Sequence, residues 1–568
     1  MMKYCNSVGV FLFLLAVILG TDATGGDLRN TIHPQPNILI IVADDMGYSD
    51  LGSYGGEIPT PHLDQLAREG VQFTQFHVTP NCAPTRAALL SGIDPHKVGL
   101  GTMAEVMAPN QKGNPGYEGY LNTRVVTVAE VLSQAGYHTY LSGKWHLGAK
   151  EPAMYPHARG FEETFAMLAG GASHWADNRP LIPGKASQYT RNGKIIQDLP
   201  PDFYSTKTYT DRMIGFIDQH KKDKKPFFGY LAYTAPHNPL HAPKTSIDKY
   251  KGRYDDGWDI LRENRLKKLK SMGLVPESMV DRPREAWIQA WDQLTDEQRK
   301  NRSRDMEIYA AMIDYMDESI GRLFGYLKSI DEYDNTLIIF FSDNGASKTT
   351  IEDYAGIGGD MDDFIKGFDN SFDNRGFAGS YTSIGPGWAF AANSPFRLMK
   401  GYLAQGGIQV PCIMKLPGKM PNGGSRVNAF TYVVDIMPTV LASAGVQHMG
   451  NYRGKTVLPM QGRSLIGLLM GGSDAFFERR EQGVELYGMR VFRKGEWKAL
   501  KLPMPYGSGR WELYNLAKDP AEAHNIAESN PEKINTLAAS WERYAENNGV
   551  VEPDRPVSYA KPPKPGSY

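Results

Sequence analysis

The chain has 568 residues, of which 41% are hydrophobic and 22% charged, a balance typical of a soluble globular protein with a large core. Its 62 lysines and arginines nearly cancel its 63 aspartates and glutamates. Because no net positive charge draws the chain to a polyanion, the composition argues against a nucleic-acid-binding protein. Three cysteines are too few for a disulfide framework in a chain of this length.

The N-terminus has the pattern of an export signal. Lys3 precedes an apolar run over residues 8–19, and small and polar residues follow that run. The run is too short to cross a bilayer comfortably, and it predicts a cleaved signal peptide at residues 1–24. We therefore expect a periplasmic or secreted mature protein without a membrane span. It would keep Cys82 and Cys412, either as one long-range disulfide or as two thiols.

Four segments combine a β-rich apolar run with an abrupt polar ending: NILIIVADDMG, HTYLSGKWHLG, PFFGYLAYTAPHNPLH and NTLIIFFSDNGA. Strands that are apolar throughout are buried on both faces. The stretches between them have helical spacing, among them EIYAAMIDYMDESIGRLFGYLKSI directly before the fourth strand. This alternation predicts an α/β fold with a large, mainly parallel sheet flanked by helices.

The pattern changes after about residue 470, where short antiparallel strands and one helix are predicted. We expect a main domain at residues 35–470, a smaller α+β subdomain with a short antiparallel sheet at 471–550, and a flexible tail at 551–568. Residues 357–392 are rich in glycine, aspartate and phenylalanine and predict a long loop near the functional site.

Two pairs of oxygen-bearing side chains follow apolar strands. Asp44 and Asp45 end the first strand, and Asp343 and Asn344 end the fourth. In a parallel sheet ligands bind at the carboxyl ends of strands, so the two pairs are expected to meet. Each residue alone is typical of a turn or a helix cap. Two such pairs favour a metal site, and oxygen ligands indicate Ca²⁺ or Mg²⁺ and not Zn²⁺.

Cationic side chains predict an anion site beside this metal. Lys144 and His146 are two residues apart and would point the same way in an extended chain. Arg86 lies one turn after Cys82, in a helix whose first turn suits Pro84 and whose N-terminus offers free N–H groups. Together these groups predict a site for a small tetrahedral oxyanion. The residues alone do not choose between a phosphate and a sulfate ester.

Two motifs resemble those of the sulfatase family. CAPTR followed by AALLSG resembles the Cys-x-Pro-x-Arg motif, and GYHTYLSGKWH resembles the second sulfatase motif. Further similar segments follow in the expected order: ADDMGYSDLGSYGG, APHNPL, SDNGA and NSPFRLMKGYLAQGGIQVP. The chain is similar to bacterial arylsulfatases from about residue 36 to about residue 545. The resemblance implies an alkaline-phosphatase-like fold, with residues 35–470 as the catalytic domain. It also implies hydrolysis of sulfate esters, either aryl sulfates or sulfated carbohydrates, to inorganic sulfate and an alcohol or phenol.

The resemblance also implies a role for each candidate residue. A formylglycine-generating maturation enzyme would oxidise Cys82 to Cα-formylglycine, and the hydrated aldehyde would be the nucleophile. The implied ligands of one Ca²⁺ ion are Asp44, Asp45, Cys82, Asp343 and Asn344. Arg86 would steady the hydrated aldehyde, with Lys144 and His146 beside it. His237 and Lys400 would contact the sulfate on the leaving-group side.

Two other interpretations stay open at this point. The chain could be a phosphonate or phosphate monoester hydrolase on the same scaffold, or a non-catalytic exported protein that binds a cation or sulfate through an unmodified cysteine. Many sulfatases have an acidic residue and an arginine where this chain has Gln405 and Gln409, which leaves the local packing open. His174, Trp175 and Trp388 are candidates for a substrate-facing surface, and simple packing is the alternative.

Overall fold

The computed structural model describes residues 35–184, 187–354 and 360–555. The predicted signal peptide and most of the predicted tail lie outside these ranges. Within them, no helix combines the length and the apolar character that crossing a membrane requires.

The strands of the described residues, in chain order, are β1 (Asn37–Ala43), β2 (Val71–Phe73), β3 (Phe76–His77), β4 (His138–Lys144), β5 (Glu163–Met167), β6 (Tyr189–Arg191), β7 (Lys194–Ile196), β8 (Phe227–Ala232), β9 (Thr336–Ser342), β10 (Cys412–Lys415), β11 (Arg426–Val427), β12 (Thr431–Tyr432), β13 (Asn451–Tyr452), β14 (Lys455–Thr456), β15 (Glu481–Leu486), β16 (Met489–Lys494), β17 (Trp497–Lys501) and β18 (Glu512–Asn515).

The α-helices of the same residues are α1 (Pro61–Glu69), α2 (Cys82–Ser91), α3 (Pro95–Val98), α4 (Val128–Gln134), α5 (Ser205–His220), α6 (Lys244–Asp248), α7 (Gly257–Ser271), α8 (Asp296–Ser329), α9 (Met361–Lys366), α10 (Gly385–Ala392), α11 (Gln405–Ile408), α12 (Ile436–Ala444), α13 (Ile466–Leu469), α14 (Ala475–Glu478) and α15 (Pro531–Asn548).

One large sheet has the strand order β11-β2-β10-β9-β1-β8-β4-β5-β6-β7. Its central strands β9, β1, β8, β4 and β5 are parallel, and β10 joins β9 antiparallel. In register, Ile40 on β1 lies between Tyr230 on β8 and Ile339 on β9. Every residue of β1 is buried, which explains why its sequence is apolar without alternation. The predicted α/β architecture is confirmed.

Local sequence explains where helix α1 ends and where helix α8 begins. Helix α1 ends at Glu69, and Gly70 follows it in an extended conformation. Helix α8 begins at Asp296, well before the apolar stretch from which it was predicted. The hydroxyl of Thr295 accepts the backbone N–H of Gln298, and this cap starts the helix on a polar, exposed turn.

Strands β15 to β18 form a separate antiparallel sheet, and α15 packs against β16. Their shared core consists of Phe492, Ala499, Leu513, Ile534, Leu537 and Trp541. This is the predicted C-terminal antiparallel sheet with its helix. The boundary at residue 471 stays a prediction.

The prediction of one continuous loop over residues 357–392 is wrong in part, because α9 and α10 occupy 361–366 and 385–392. Asp360 accepts the backbone N–H groups of Asp362 and Asp363 and so caps α9. Helix α10 is buried along its whole length. Residues 357–359 lie outside the described ranges.

Candidate active site

The two predicted oxygen pairs meet at the carboxyl edge of the large sheet. Asp44 and Asp45 follow β1, while Asp343 and Asn344 follow β9, the parallel neighbour of β1. The backbone N–H of Asp45 lies 3.4 Å from Asp343 Oδ1. All four side chains are buried, so the charged and polar groups that they carry need partners inside the protein.

Two buried cations, Arg86 and Lys144, are the partners of Asp343 and Asp44. Arg86 donates from Nε and Nη2 to Asp343 Oδ2, at 2.9 and 2.7 Å. Lys144 donates from Nζ to Asp44 Oδ2 at 2.7 Å. Burial alone would raise the pKa of Asp44, but Lys144 and the other cations around it hold the pKa well below its ordinary value. Asp44 is therefore an ionised, buried carboxylate.

The oxygen cluster fits a hard cation. Ligand atoms of Asp44, Asp343 and Cys82 lie within 4.8 Å of one another. Among the described residues, Asp44 Oδ1 and Asn344 Oδ1 are buried without a hydrogen-bond partner. A buried oxygen without a partner is costly, and coordination to a cation would remove that cost. These donors suit Ca²⁺ or Mg²⁺, which take oxygen ligands.

Cys82 is the first residue of α2 and is almost fully buried. Burial alone would raise the pKa of its thiol, but the charges of Lys144 and Lys400 lower it to about 6. The preceding residue, Asn81, is extended, and its Nδ2 donates to the hydroxyl of Tyr487 at 2.5 Å. The turn between β15 and β16 therefore contacts the residue that precedes Cys82.

Both described cysteines are free thiols, so the disulfide alternative is wrong. Cys412 lies in β10 between β9 and β2, and burial raises its pKa well above the ordinary value. Its surroundings make it an inert thiol, whereas the surroundings of Cys82 stabilise a negative charge.

His146 reaches the site in a different way from the one predicted. Strand β4 ends at Lys144, and His146 has a left-handed backbone with φ of 56°. The two residues therefore do not share an extended segment, although both influence Cys82. Asp45 is also left-handed, with φ of 68°. Such conformations cost roughly 1–2 kcal/mol in non-glycine residues and tend to cluster at functional sites.

His237 and Lys400 both lie next to the carboxylate of Asp45. Lys400 Nζ is 2.7 Å from Asp45 Oδ1, and His237 Nε2 is 3.5 Å from Asp45 Oδ2. The His237 ring is oriented by its Nδ1, which lies 2.6 Å from the carbonyl oxygen of Asn238. Burial lowers the pKa of His237 to about 4. Both side chains line one cavity together with Cys82 and His146.

Comparison with known proteins agrees with this geometry. The family model described as Sulfatase matches residues 36–446, and the model described as N-sulphoglucosamine sulphohydrolase, C-terminal, matches residues 398–546. The chain belongs to the sulfatase family. It is 42% identical to an uncharacterized sulfatase of Schizosaccharomyces pombe over 528 residues, 91% of this chain and 94% of that protein. It is 40% identical to an arylsulfatase of Klebsiella aerogenes over 435 residues, 76% of this chain and 91% of that enzyme.

A solved structure gives the same assignment for the fold. Ps i-CgsB in complex with k-i-k-neocarrahexaose superposes with a TM-score of 0.64 at 25% identity, covering 90% of this chain and 93% of that chain. The alkaline-phosphatase-like fold is thereby confirmed, and the protein is a sulfuric ester hydrolase. Sulfatases generally use a formylglycine and a divalent metal. The family assignment argues against the non-catalytic interpretation.

Three aromatic candidates of the sequence pack inside this sulfatase. His174 Nε2 lies 3.0 Å from the carbonyl oxygen of His237, and this contact helps to hold the His237 backbone in place. Trp388 is fully buried among other aromatic rings, and the ring of Trp175 lies 4.7 Å from that of Tyr204. In the described part of the chain, none of the three lines the cavity. The alternative interpretation, that these residues pack against the rest of the protein and do not face substrate, therefore holds for all three.

The two glutamines that depart from many sulfatases are fully hydrogen-bonded. Gln405 accepts from Lys498 Nζ at 2.9 Å, and Gln409 donates to the backbone oxygen of Thr74 at 2.7 Å. Lys498 also pairs with Glu522 at 2.5 Å. Residues of the C-terminal region thus supply hydrogen-bond partners for the segment that follows Lys400. Sequence reasoning missed these partners, because no local signal points to them.

Proposed function

We propose that this sulfatase hydrolyses sulfate monoesters with a formylglycine made from Cys82 and with one bound Ca²⁺ ion. The observation that carries the proposal is the position of Cys82. It stands at a helix start between the carboxylates of Asp44 and Asp343 and the cations Lys144 and Lys400. This is where a nucleophile would need both a metal and positive charge.

The residues that would hold the ion are Asp44, Asp45, Asp343, Asn344 and the modified Cys82. When bound, the ion lowers the pKa of a coordinated hydroxyl and offsets negative charge on the sulfuryl group. Arg86 keeps Asp343 in place through its two hydrogen bonds, and it adds a positive charge that does not titrate.

If Cys82 is converted to formylglycine, the hydrated aldehyde would supply two hydroxyls on one carbon. One would attack sulfur as the bond from sulfur to the ester oxygen breaks and the alcohol or phenol leaves; loss of the proton from the other would expel sulfate and restore the aldehyde. The chain supplies the surrounding charge. Lys144, which binds Asp44, and Lys400, which binds Asp45, would stabilise the sulfuryl oxygens. His146 lines the cavity beside residue 82; burial alone would lower its pKa, but Cys82 and Glu105 raise it to about 9, so it can donate a hydrogen bond to an oxygen there. His237 and Lys400 would contact the ester oxygen of the leaving group.

The proposal includes export and maturation. The basic residue and apolar run at the N-terminus support a signal peptide and a periplasmic or secreted enzyme. A maturation enzyme must then oxidise Cys82. N-terminal sequencing of the exported protein would locate the cleavage site.

Mass spectrometry of the peptide that contains residue 82 tests the central claim. We expect the aldehyde in active protein, one bound Ca²⁺ by metal analysis, and faster turnover of 4-nitrophenyl sulfate than of a phenylphosphonate monoester. The matched control is Cys412→Ala, which removes the other thiol and is expected to keep both modification and activity. Active protein with an unmodified thiol at residue 82 would overturn the mechanism. A faster rate on the phosphonate would favour the alternative hydrolase.

A further inference from the structure

We propose that this enzyme prefers sulfate monoesters of small apolar alcohols and phenols over sulfated sugars. The inference rests on the proposed function, because it concerns the leaving-group side of the same site. What carries it is a compact cavity with a charged end and an apolar end.

The cavity has a volume of about 100 Å³. Its charged end is formed by Cys82, His146, His237 and Lys400. Its other end is mainly apolar and is formed by Met103, Val106, Pro180, Leu181, Ile182 and Tyr354, the last of which also has a hydroxyl. An apolar cavity of about 150 Å³ holds one benzene molecule. The part of a leaving group that enters this space is therefore on the scale of one small ring.

The floor between the two histidines carries no side chain. A Cβ atom at Gly170 would lie 2.7 Å from the ring of His146, and one at Gly171 would lie 2.6 Å from Leu181. Any larger residue would displace these neighbours, so the floor cannot carry a side chain that binds substrate hydroxyls. A sugar that enters this space would bury several hydroxyls, and each without a partner costs about 1–3 kcal/mol.

Among the described residues, the polar groups on the cavity wall outside the charged end are the side chains of Glu105 and Ser187 and the hydroxyl of Tyr354. Glu105 Oε1 is 3.5 Å from His146 Nε2, so this carboxylate is already engaged with a site residue. Its negative charge also disfavours a leaving group that carries a second sulfate or a carboxylate. Charge and hydrogen-bonding capacity therefore agree with the size of the cavity in selecting a neutral, apolar leaving group.

The decisive experiment compares two substrates whose phenols have similar acidity, 4-methylphenyl sulfate and 4-(hydroxymethyl)phenyl sulfate. They differ by one hydroxyl group, so the ratio of their kcat/KM values reports the polarity of the wall. We expect wild type to favour the methyl compound by up to about 10²-fold, the typical limit for an apolar pocket that meets one extra hydroxyl. N-acetylglucosamine 6-sulfate is expected to be the slowest substrate.

Two variants test whether the wall causes this preference. Val106→Thr keeps the side-chain shape and adds a hydroxyl, and Leu181→Asn replaces an apolar wall residue by an amide. Both are expected to reduce the methyl-to-hydroxymethyl ratio at least severalfold, mainly through KM. Val280→Thr makes the same change at a position with 68% exposure, and it is expected to leave the ratio unchanged. Formylglycine content and thermal unfolding are measured for each variant.

Equal rates on the two phenyl sulfates in wild type, or faster hydrolysis of the sugar sulfate, would overturn the inference and leave the sulfatase mechanism intact. An unchanged ratio in both folded wall variants would also overturn it. Failure to hydrolyse any sulfate ester, 4-nitrophenyl sulfate included, would instead overturn the proposed function, and the inference with it.

Discussion

A buried histidine outside the candidate site residues is expected to make stability depend on pH. His96 Nδ1 lies 2.8 Å from Asp94 Oδ1, and His96 Nε2 lies 3.1 Å from Glu485 Oε2. Tyr544 donates its hydroxyl to the other oxygen of Asp94 at 2.7 Å, and the ring of Tyr117 lies 5.9 Å from that of His96. Because Glu485 is in β15 and Tyr544 in α15, these contacts join the C-terminal elements to the start of α3.

The size of the effect follows from the pKa. Burial alone would lower the pKa of His96, but its hydrogen bonds to Asp94 and Glu485 raise it from 6.5 to about 9. At 1.36 kcal/mol for each pKa unit, the protonated histidine contributes about 3 kcal/mol to the free energy of unfolding. A raised pKa means that this contribution is complete below pH 6.5 and is lost as the pH rises through about 9. About 2 kcal/mol should remain at pH 7.5.

The assay is urea unfolding of wild type and His96→Gln between pH 6 and pH 10. Glutamine can form hydrogen bonds but cannot carry the charge. The difference in unfolding free energy should therefore shrink by about 3 kcal/mol across this range. Glu485→Gln removes one hydrogen-bond partner of His96 and should therefore lower the pKa of His96. The loss of stability at alkaline pH should then begin at a lower pH than in wild type. Parallel pH profiles for wild type and His96→Gln would refute the reasoning, because the charge on His96 would then make no contribution.

Three further predictions concern the active site. Cys82→Ala is expected to abolish turnover of 4-nitrophenyl sulfate with little change in the thermal unfolding temperature, and near-normal activity would contradict the mechanism. Chelation is expected to lower activity, which Ca²⁺ or Mg²⁺ restores without Zn²⁺, and Asp343→Ala should raise the metal concentration required; full activity of metal-free protein would count against the metal site. The negative charge of a bound sulfate ester is expected to raise the pKa of His237 from about 4, so that the ring can donate a proton to the ester oxygen; His237→Ala should then slow sulfates with poor leaving groups by about 10²–10⁴-fold and nitrophenyl sulfate only modestly. Rates across a series of phenyl sulfates measure this, and parallel dependence on leaving-group acidity in wild type and variant would mean that His237 only positions the sulfate.

Features that depend on neighbouring residues could be predicted from the sequence. The apolar runs predicted the central strands, because a strand buried on both faces has no room for polar side chains. Their abrupt endings predicted that Asp44 and Asp343 would come together, since parallel strands end at the same edge of a sheet. The Cys82 and Arg86 pair is one helical turn long, so its spacing alone brings both residues to one site.

Contacts between distant parts of the chain were decided by the tertiary structure. Lys400 binds Asp45 across 355 residues, and Tyr487 reaches Asn81 across 406. Spacing carries no information about such pairs, because the folded core and not the local chain brings them together. The same holds for the apolar wall around Leu181, whose residues come from separate loops. The family motifs identify the chemistry of this sulfatase, but its selectivity depends on how those loops pack around the charged end of the cavity.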